Sequence, residues 1–556
     1  MGLIKTLDAN CRDCYKCVRS CLVKAIRVKD GHAEIAEERC VYCGHCIPIC
    51  PQNARRVYEQ KDLVLEMLKT NQPLTISLSP SFPAAFPDLS PLQLAQKLTS
   101  VGFQRILETA EAAEALYNLQ DEVQAKQPLI SSYCPAVVNL IEKYYPALKE
   151  NLVPIVSPLV AHARYLKRTY PEDKLVFILP CEAKKAEALA EVEIDAVLTF
   201  NELSELLKVA PTKKDSCSII EGAASFYSRT VGISGSLRAK LGFGDYLDPR
   251  SETVSGFVEC LEFLDNMQAG HIGQNTLFVE MLLCRGGCLN GSGLAQELTF
   301  EEKKEKIISF AQNAPELKPL IHLDKHDIIR EFAGERVENS EPSQKEIRDI
   351  LTLMGKRNKS EELDCGACGY ETCHQQAIAV YRGLAEIEMC IPFLRAKAET
   401  MNDVIIQATP NGIIVVDENL DILTINPAAE RMFQCKEEAL KGRRVNTLIK
   451  DDLFEQVLNE KRLIVGNIEY PAYGLKVRHF VFYVPKSRVI IAIFADITEQ
   501  TRQKDQLSEL RKETLERAQE VINKQMRVAQ EIASLLGETT AETKVTLDQL
   551  IRIIKS

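Results

Sequence analysis

Two runs of cysteines with the same internal spacing constrain this chain more than any other feature. Cys11, Cys14, Cys17 and Cys21 recur as Cys40, Cys43, Cys46 and Cys50, each 29 positions after its counterpart, so the segment is an internal duplication. Gaps of two, two and three residues place three thiols on one tight loop. The start, MGLIKTLDANC, has no apolar signal segment, which predicts a cytoplasmic chain and makes such spacings metal ligands rather than disulfides. A structural zinc site is the plain alternative, but zinc uses four ligands in C-x₂₋₄-C pairs.

The runs resemble a two-cluster bacterial ferredoxin, in which the fourth thiolate of each run reaches over to the other cubane. That resemblance implies one [4Fe-4S] cluster on Cys11, Cys14, Cys17 and Cys50 and a second on Cys40, Cys43, Cys46 and Cys21. Pro51 follows the last cysteine as the pattern expects, whereas Leu22 replaces the first such proline.

At 556 residues the chain is too long for one core. Its segments predict a multidomain α/β and α+β protein, divided at residues 1–60, 61–340, 341–395, 396–500 and 501–556. A net charge of −10 argues against nucleic acid as a partner, because phosphate binding wants a basic face. No apolar run approaches the roughly 18 residues that span a bilayer.

Between residues 61 and 340, the runs LTISLSP, LVFILP and NTLFVEMLLC read as buried strands ending at polar or cysteine-bearing turns. This suggests an α/β domain with its site at the strand ends. Cys134, Cys181, Cys284 and Cys288 sit at such turns, and taken alone they could equally be buried core cysteines. Their surroundings resemble the catalytic domain of [FeFe] hydrogenases, whose three signature segments occur in order. The resemblance implies that all four hold a cubane. It also implies that Cys288 bridges to a two-iron centre carrying carbon monoxide and cyanide, the two together forming an H-cluster. Lys184 would donate to one cyanide, Pro80 and Ser81 would contact the other, and Gly232, Gly235, Gly286 and Gly287 would let backbone approach the group.

Several positions depart from that family. Tyr133 stands where a proton-passing cysteine is expected, and a phenol's ordinary pKa near 10 lies about 1.5 units above a thiol's. Val153 replaces a relay serine and carries no proton. Leu179 and Leu282 replace methionines, and Val137 a tryptophan. Glu111, Glu114, Asp121 and Glu122 lie in the stretch where the relay's carboxylates belong. The expectation is an intact cluster cage with a broken proton wire.

Cys365, Cys368, Cys373 and Cys390 form a C-x₂-C-x₄-C-x₁₆-C set resembling the small four-cysteine cluster domain of corrinoid iron–sulfur proteins and membrane redox pumps. A helix over 375–388 is expected to carry the last ligand back, and His374 is expected on the surface. Cys217, Cys260 and Cys435 stand outside the four sets. Residues 396–500 resemble a PAS domain through Asn426-Pro427-Ala428-Ala429, EEALKGR and Asp496-Ile497-Thr498. His479 and Cys435 are its only haem- or flavin-type candidates, and neither lies in a cofactor motif, so its ligand is unassigned. In 501–556, Leu515, Ala518, Ile522, Gln525, Ala529, Ile532 and Leu536 fit a heptad seam, which predicts a homodimer, or else one amphipathic helix packed on the PAS domain. No histidine follows His479, so a histidine kinase is not expected and output passes to a partner protein.

The order as a whole resembles sensory [FeFe]-hydrogenase-like proteins of anaerobic bacteria. It implies four [4Fe-4S] clusters, a two-iron subcluster, H₂ and protons as reactants, and a ferredoxin-like electron partner. The expected function is a hydrogen or redox sensor with weak hydrogenase activity. A working hydrogenase assembled by its tail and a cluster-only electron-transfer scaffold are the alternatives.

Overall fold

A computed structural model describes the chain apart from residues 1, 71, 121–128, 211–219, 221, 223, 246, 272–274, 295–296, 315–320, 335, 338–339, 450–451, 537–540 and 556. Cys217, Asp121 and Glu122 therefore lie outside the described residues. Two compact units divide at Leu394 and Arg395.

In the first unit, the duplicated cysteine segment is closed by two short antiparallel pairs. Ile4–Thr6 pairs with Arg55–Val57, and Ile26–Lys29 pairs with His32–Ile35. The central domain is built on parallel strands, as its uninterrupted apolar runs require. A four-stranded sheet runs in the order Arg105–Glu108, Leu74–Leu78, Lys174–Leu179, Ala196–Thr199. A three-stranded sheet runs Ser251–Ser255, Phe278–Leu282, Leu129–Ile130. Leu74–Leu78 and Phe278–Leu282 are buried along their whole length. Because all these strands are parallel, their carboxyl ends gather on one side. Ser79-Pro80-Ser81 and Thr109 follow directly from two of them, and Cys181 and Cys284 follow two others with one residue between.

In the third cysteine segment, Gln344–Leu353 packs through Ile347 and Leu351 against Ala377 of the helix Cys373–Tyr381. That helix is shorter than expected. It stops at Tyr381, and Gly383 then turns the chain at φ +66° into a short 3₁₀ turn, Ile387–Met389, ahead of Cys390. This segment is fastened to the first. Lys24 Nζ donates to the Gly369 carbonyl at 2.8 Å, and the Glu386 carboxylate accepts from the amides of Asp30 and Gly31 at 2.6 and 3.0 Å.

The second unit holds a five-stranded antiparallel sheet in the order Ile422–Ile425, Gly412–Asp417, Val489–Asp496, Leu475–Val484, Ile464–Tyr470. Side chains fill its core, with the Phe433 ring edge-on to Phe494, Tyr470 and Tyr473. Asn426 caps the helix Pro427–Met432 by accepting from the Ala429 amide, and donates to the Ile406 and Asn411 carbonyls. The Asp496-Ile497-Thr498 turn is pinned to the start of a neighbouring strand, where the Lys476 amide donates to Thr498 Oγ1 at 2.9 Å. From Thr498 one helix continues to Leu536, with Ile532 exposed, and Ala541–Lys555 is a second helix. No helix among the described residues is long and apolar enough to cross a membrane.

Candidate metal centres

Local chemistry first explains why the cysteines sit where they do. Cys134 and Cys181 are the capping residues of Pro135–Tyr144 and Glu182–Ala190, and Cys373 opens the helix Cys373–Tyr381. A helix amino terminus carries partial positive charge, so it favours a thiolate over a thiol.

The structure brings Cys134, Cys181, Cys284 and Cys288 together around one cavity of about 20 Å³. Cys365, Cys368, Cys373 and Cys390 line another of about 10 Å³. Cys17, Cys21, Cys40, Cys43 and Cys46 all line a third of about 30 Å³. Cys11 and Cys50 are half-buried and Cys14 is exposed. Burial drives the thiols upward. Cys40 is pushed up to about 11 and Cys46 to about 12, and Cys43, Cys134, Cys181 and Cys284 are also raised, desolvation being the first cause in every case. Burial raises the core thiol of Cys260 in the same way, so it is the convergence of four sulfurs on one cavity, not the shift, that fits the sets to a cluster. Cys260, by contrast, lies fully in the core with its thiol directed at the Leu282 carbonyl.

A second cavity, of about 30 Å³, adjoins the Cys134 set. Pro80, Ser81, Tyr133, Leu179, Gly232 and Leu282 line it, and Cys288 and Lys184 line both cavities. Cys288 is held there by its amide, which donates to the Gly232 carbonyl at 2.7 Å. A Cβ on Gly287, whose φ is +103°, would lie 2.2 Å from that same carbonyl oxygen, so only glycine fits. A Cβ on Gly232 would meet Cys288 Cβ at 3.2 Å. Gly235 departs from expectation. A Cβ there would meet nothing within 4 Å, and its φ of +94° opens the helix Ser236–Lys240 while its amide donates to Glu280. It shapes the backbone behind the site and lines neither cavity.

Burial opposes charge on Lys184, yet Cys288 and Cys181 outweigh that and hold the ammonium above its ordinary value. A one-thiolate cavity with an ammonium in its wall fits an anionic group attached at Cys288. The room is small, because a water needs about 10–15 Å³ by this measure, so the cavity admits about two.

The remaining wall carries the hydroxyls of Ser79, Ser81, Thr109 and Tyr133. The Tyr133 hydroxyl is buried without a hydrogen-bond partner, and burial raises its pKa far above the ordinary value. Its ring stacks on Tyr117, centroids 6.2 Å apart. Val153 is buried beside Ile155 and Val156 in the core. Glu114 bonds Ser225, Ser228 and Lys240, the last at 2.9 Å, and Glu111 lines a separate cavity of about 840 Å³ with no cysteine among its described lining residues. Sequence reasoning missed one polar chain. Thr109, in the wall of the second cavity, bonds Ser77 at 2.8 Å, and Ser77 bonds His162 Nδ1 at 2.9 Å. Burial lowers His162 to about 3. The alternating Ser77 in LTISLSP is the only local signal for it.

These sites define a multidomain iron–sulfur protein. Residues 72–292 match the family described as "Iron only hydrogenase large subunit, C-terminal domain". Residues 10–54 match a 4Fe-4S dicluster domain, 361–392 a putative Fe-S cluster family and 400–467 the PAS fold. The NADP-reducing hydrogenase subunit HndD of Solidesulfovibrio fructosivorans is 23% identical over 410 residues, covering 57% of this chain and 69% of that protein. The cytosolic Fe-S cluster assembly factor NAR1 of Kluyveromyces lactis is 27% identical over 197 residues, covering 31% of this chain and 41% of that protein. A solved [FeFe]-hydrogenase of Chlamydomonas reinhardtii is 17% identical, covering 50% of this chain and all of that one, at a TM-score of 0.36.

Proposed function

We propose that the chain is a hydrogen or redox sensor with slow H₂ chemistry. The single observation that carries this is the pair of adjoining cavities sharing Cys288 and Lys184, one ringed by four cysteines and the other holding a buried Tyr133 hydroxyl that has no hydrogen-bond partner to pass a proton on. In this reading, Cys134, Cys181, Cys284 and Cys288 would hold a cubane, and Cys288 would also hold a two-iron centre, which would supply the H₂-binding and redox chemistry. Lys184 and Ser81 orient that centre by hydrogen bonds, while Tyr133, Leu179 and Leu282 exclude water. Protons then arrive slowly, because Tyr133 has no partner and Val153 cannot pass a proton.

Electrons leave towards the amino-terminal segment. Cys43 and Tyr42 form part of the wall of the four-cysteine cavity, so the cubane on Cys40, Cys43, Cys46 and Cys21 is the neighbouring carrier. The further cubanes are those of Cys11, Cys14, Cys17 and Cys50 and of Cys365, Cys368, Cys373 and Cys390. The PAS domain and its Thr498–Leu536 helix carry the output to a partner protein, with the helix pairing in a homodimer.

A cluster-only scaffold is the second reading, favoured by the small second cavity and by the similarity to a cluster assembly factor. Hydrogen uptake by anaerobically matured protein, measured with an excess of a chemical electron carrier, tests the proposal. Slow but real turnover is expected. Turnover as fast as a working hydrogenase would contradict the sensor reading, and none at all would favour the scaffold.

A further inference from the structure

Arg55 and Arg56 are neighbours in one strand, and they face opposite ways. Strand geometry sends successive side chains to opposite faces, and here Arg55 is buried while Arg56 is exposed. A buried guanidinium needs an anion or a full set of acceptors. Arg55 Nη1 donates to Thr6 Oγ1 and, at 3.4 Å, to the Ala33 carbonyl, and Nη2 donates to Cys17 Sγ at 3.0 Å. Among the described residues no carboxylate pairs with it. The hydrogen bonds described to other ligand sulfurs come from backbone amides, those of Ala25 to Cys21, Tyr42 to Cys40 and Ala54 to Cys50. Among the described residues Cys17 is the one ligand cysteine that receives a charged hydrogen-bond donor, and the same guanidinium acts on Cys46 through its charge alone.

A cubane held by four thiolates is an anion, and reduction adds a further negative charge. Hydrogen bonds to the sulfurs and nearby positive charge stabilise the reduced form and raise its potential. We infer that Arg55 is the counter-charge of the cubane on Cys11, Cys14, Cys17 and Cys50 and raises that cluster's reduction potential through its bond to Cys17. This rests on the reading of those four cysteines as a cubane. The consequence is directional. An electron released in the central domain is retained at the amino-terminal end of the relay, beside the exposed Cys14 from which an external carrier can collect it. Lys cannot replace Arg here without loss, since one ammonium cannot reach Thr6, Ala33 and Cys17 with the fork of a guanidinium.

The test is a redox titration of the full, anaerobically reconstituted chain, followed by electron paramagnetic resonance. The wave of the Cys17 cubane is identified by its disappearance in Cys14→Ala. Arg55→Met is expected to move that wave down so that its reduced fraction falls at least tenfold at a fixed potential, about 59 mV for one electron. Arg55→Lys moves it the same way by less, and Arg56→Met leaves it in place. An unmoved wave in Arg55→Met with full iron content overturns the proposal. If Arg55→Met loses that cubane's iron, Arg55→Lys decides, and an unmoved wave there overturns it equally. A native chain that takes up no cubane at these four cysteines contradicts the cluster reading itself. Iron content shows that before any titration, and the proposal falls with it.

Discussion

The two cavities that meet at Cys288 are built by opposite rules. The four-cysteine cavity keeps every thiol at a strand end or helix start, where parallel strands converge and helix termini favour negative charge. Its neighbour shares Leu282, one thiol and one ammonium with it, and adds Tyr133, whose hydroxyl has no hydrogen-bond partner, beside Leu179, with Val153 in the same core cluster. Holding a cluster and feeding protons to it are separable tasks. The first needs ligands and burial, whereas the second needs an unbroken series of protic groups. In the proposed reading this chain keeps the first and lacks the second.

The largest expected effect breaks the link between the cavities. Cys288→Ser removes a thiolate bridge that a protonated hydroxyl cannot replace, so carbonyl and cyanide infrared bands should vanish completely. Cys260→Ser and Cys435→Ser should leave iron content unchanged, because Cys260 sits in the core and Cys435 in the second unit's core edge. Loss of iron in either would show that the ligand sets are wrongly drawn.

A smaller effect follows from repairing the wall. Tyr133→Cys combined with Val153→Ser restores two protic steps at once, and general acid–base transfer is worth about 10²–10⁴-fold. Hydrogen turnover should rise by about 10²-fold or more. Turnover left slow by both changes would move the limit to Leu179 and Leu282.

The smallest effect concerns His162, which stands behind the second cavity through Ser77 and Thr109. Its folded value of about 3 lies below the ordinary 6.5, since burial opposes its charge. The folded state thus binds fewer protons than the unfolded state between those values, and stability falls as pH drops below 6.5. Each unit costs about 1.4 kcal/mol. Thermal midpoints at pH 7.5 and 5.5 should differ less in His162→Phe than in the native chain. Equal differences would mean that His162 finds a proton partner in the fold.

What could be read from the sequence follows the same division. Cluster ligands must be cysteines at short fixed spacings, so the sets at 11–21, 40–50 and 365–390 stand out without a structure. Buried parallel strands read as mostly apolar runs, so Leu74–Leu78, Lys174–Leu179 and Phe278–Leu282 are legible too, despite Thr75, Ser77 and Glu280 within them. The strand Ile464–Tyr470 was not, because Gly466, Asn467 and Glu469 alternate with its apolar residues and dilute the signal. Glu114 with Ser228 and Arg55 with Cys17 join positions 114 and 38 residues apart, and no local pattern announces such pairings. Gly383 ends the third segment's helix early, short of the continuation expected to Glu388.

The most direct test of two cavities with separate tasks is one infrared spectrum of the anaerobically matured native protein, read beside its iron content. The account predicts carbonyl and cyanide bands with about 18 iron atoms per chain, four cubanes and one iron pair, in a protein that turns over H₂ slowly. About 16 iron atoms with no such bands would contradict it and leave the second cavity without its group.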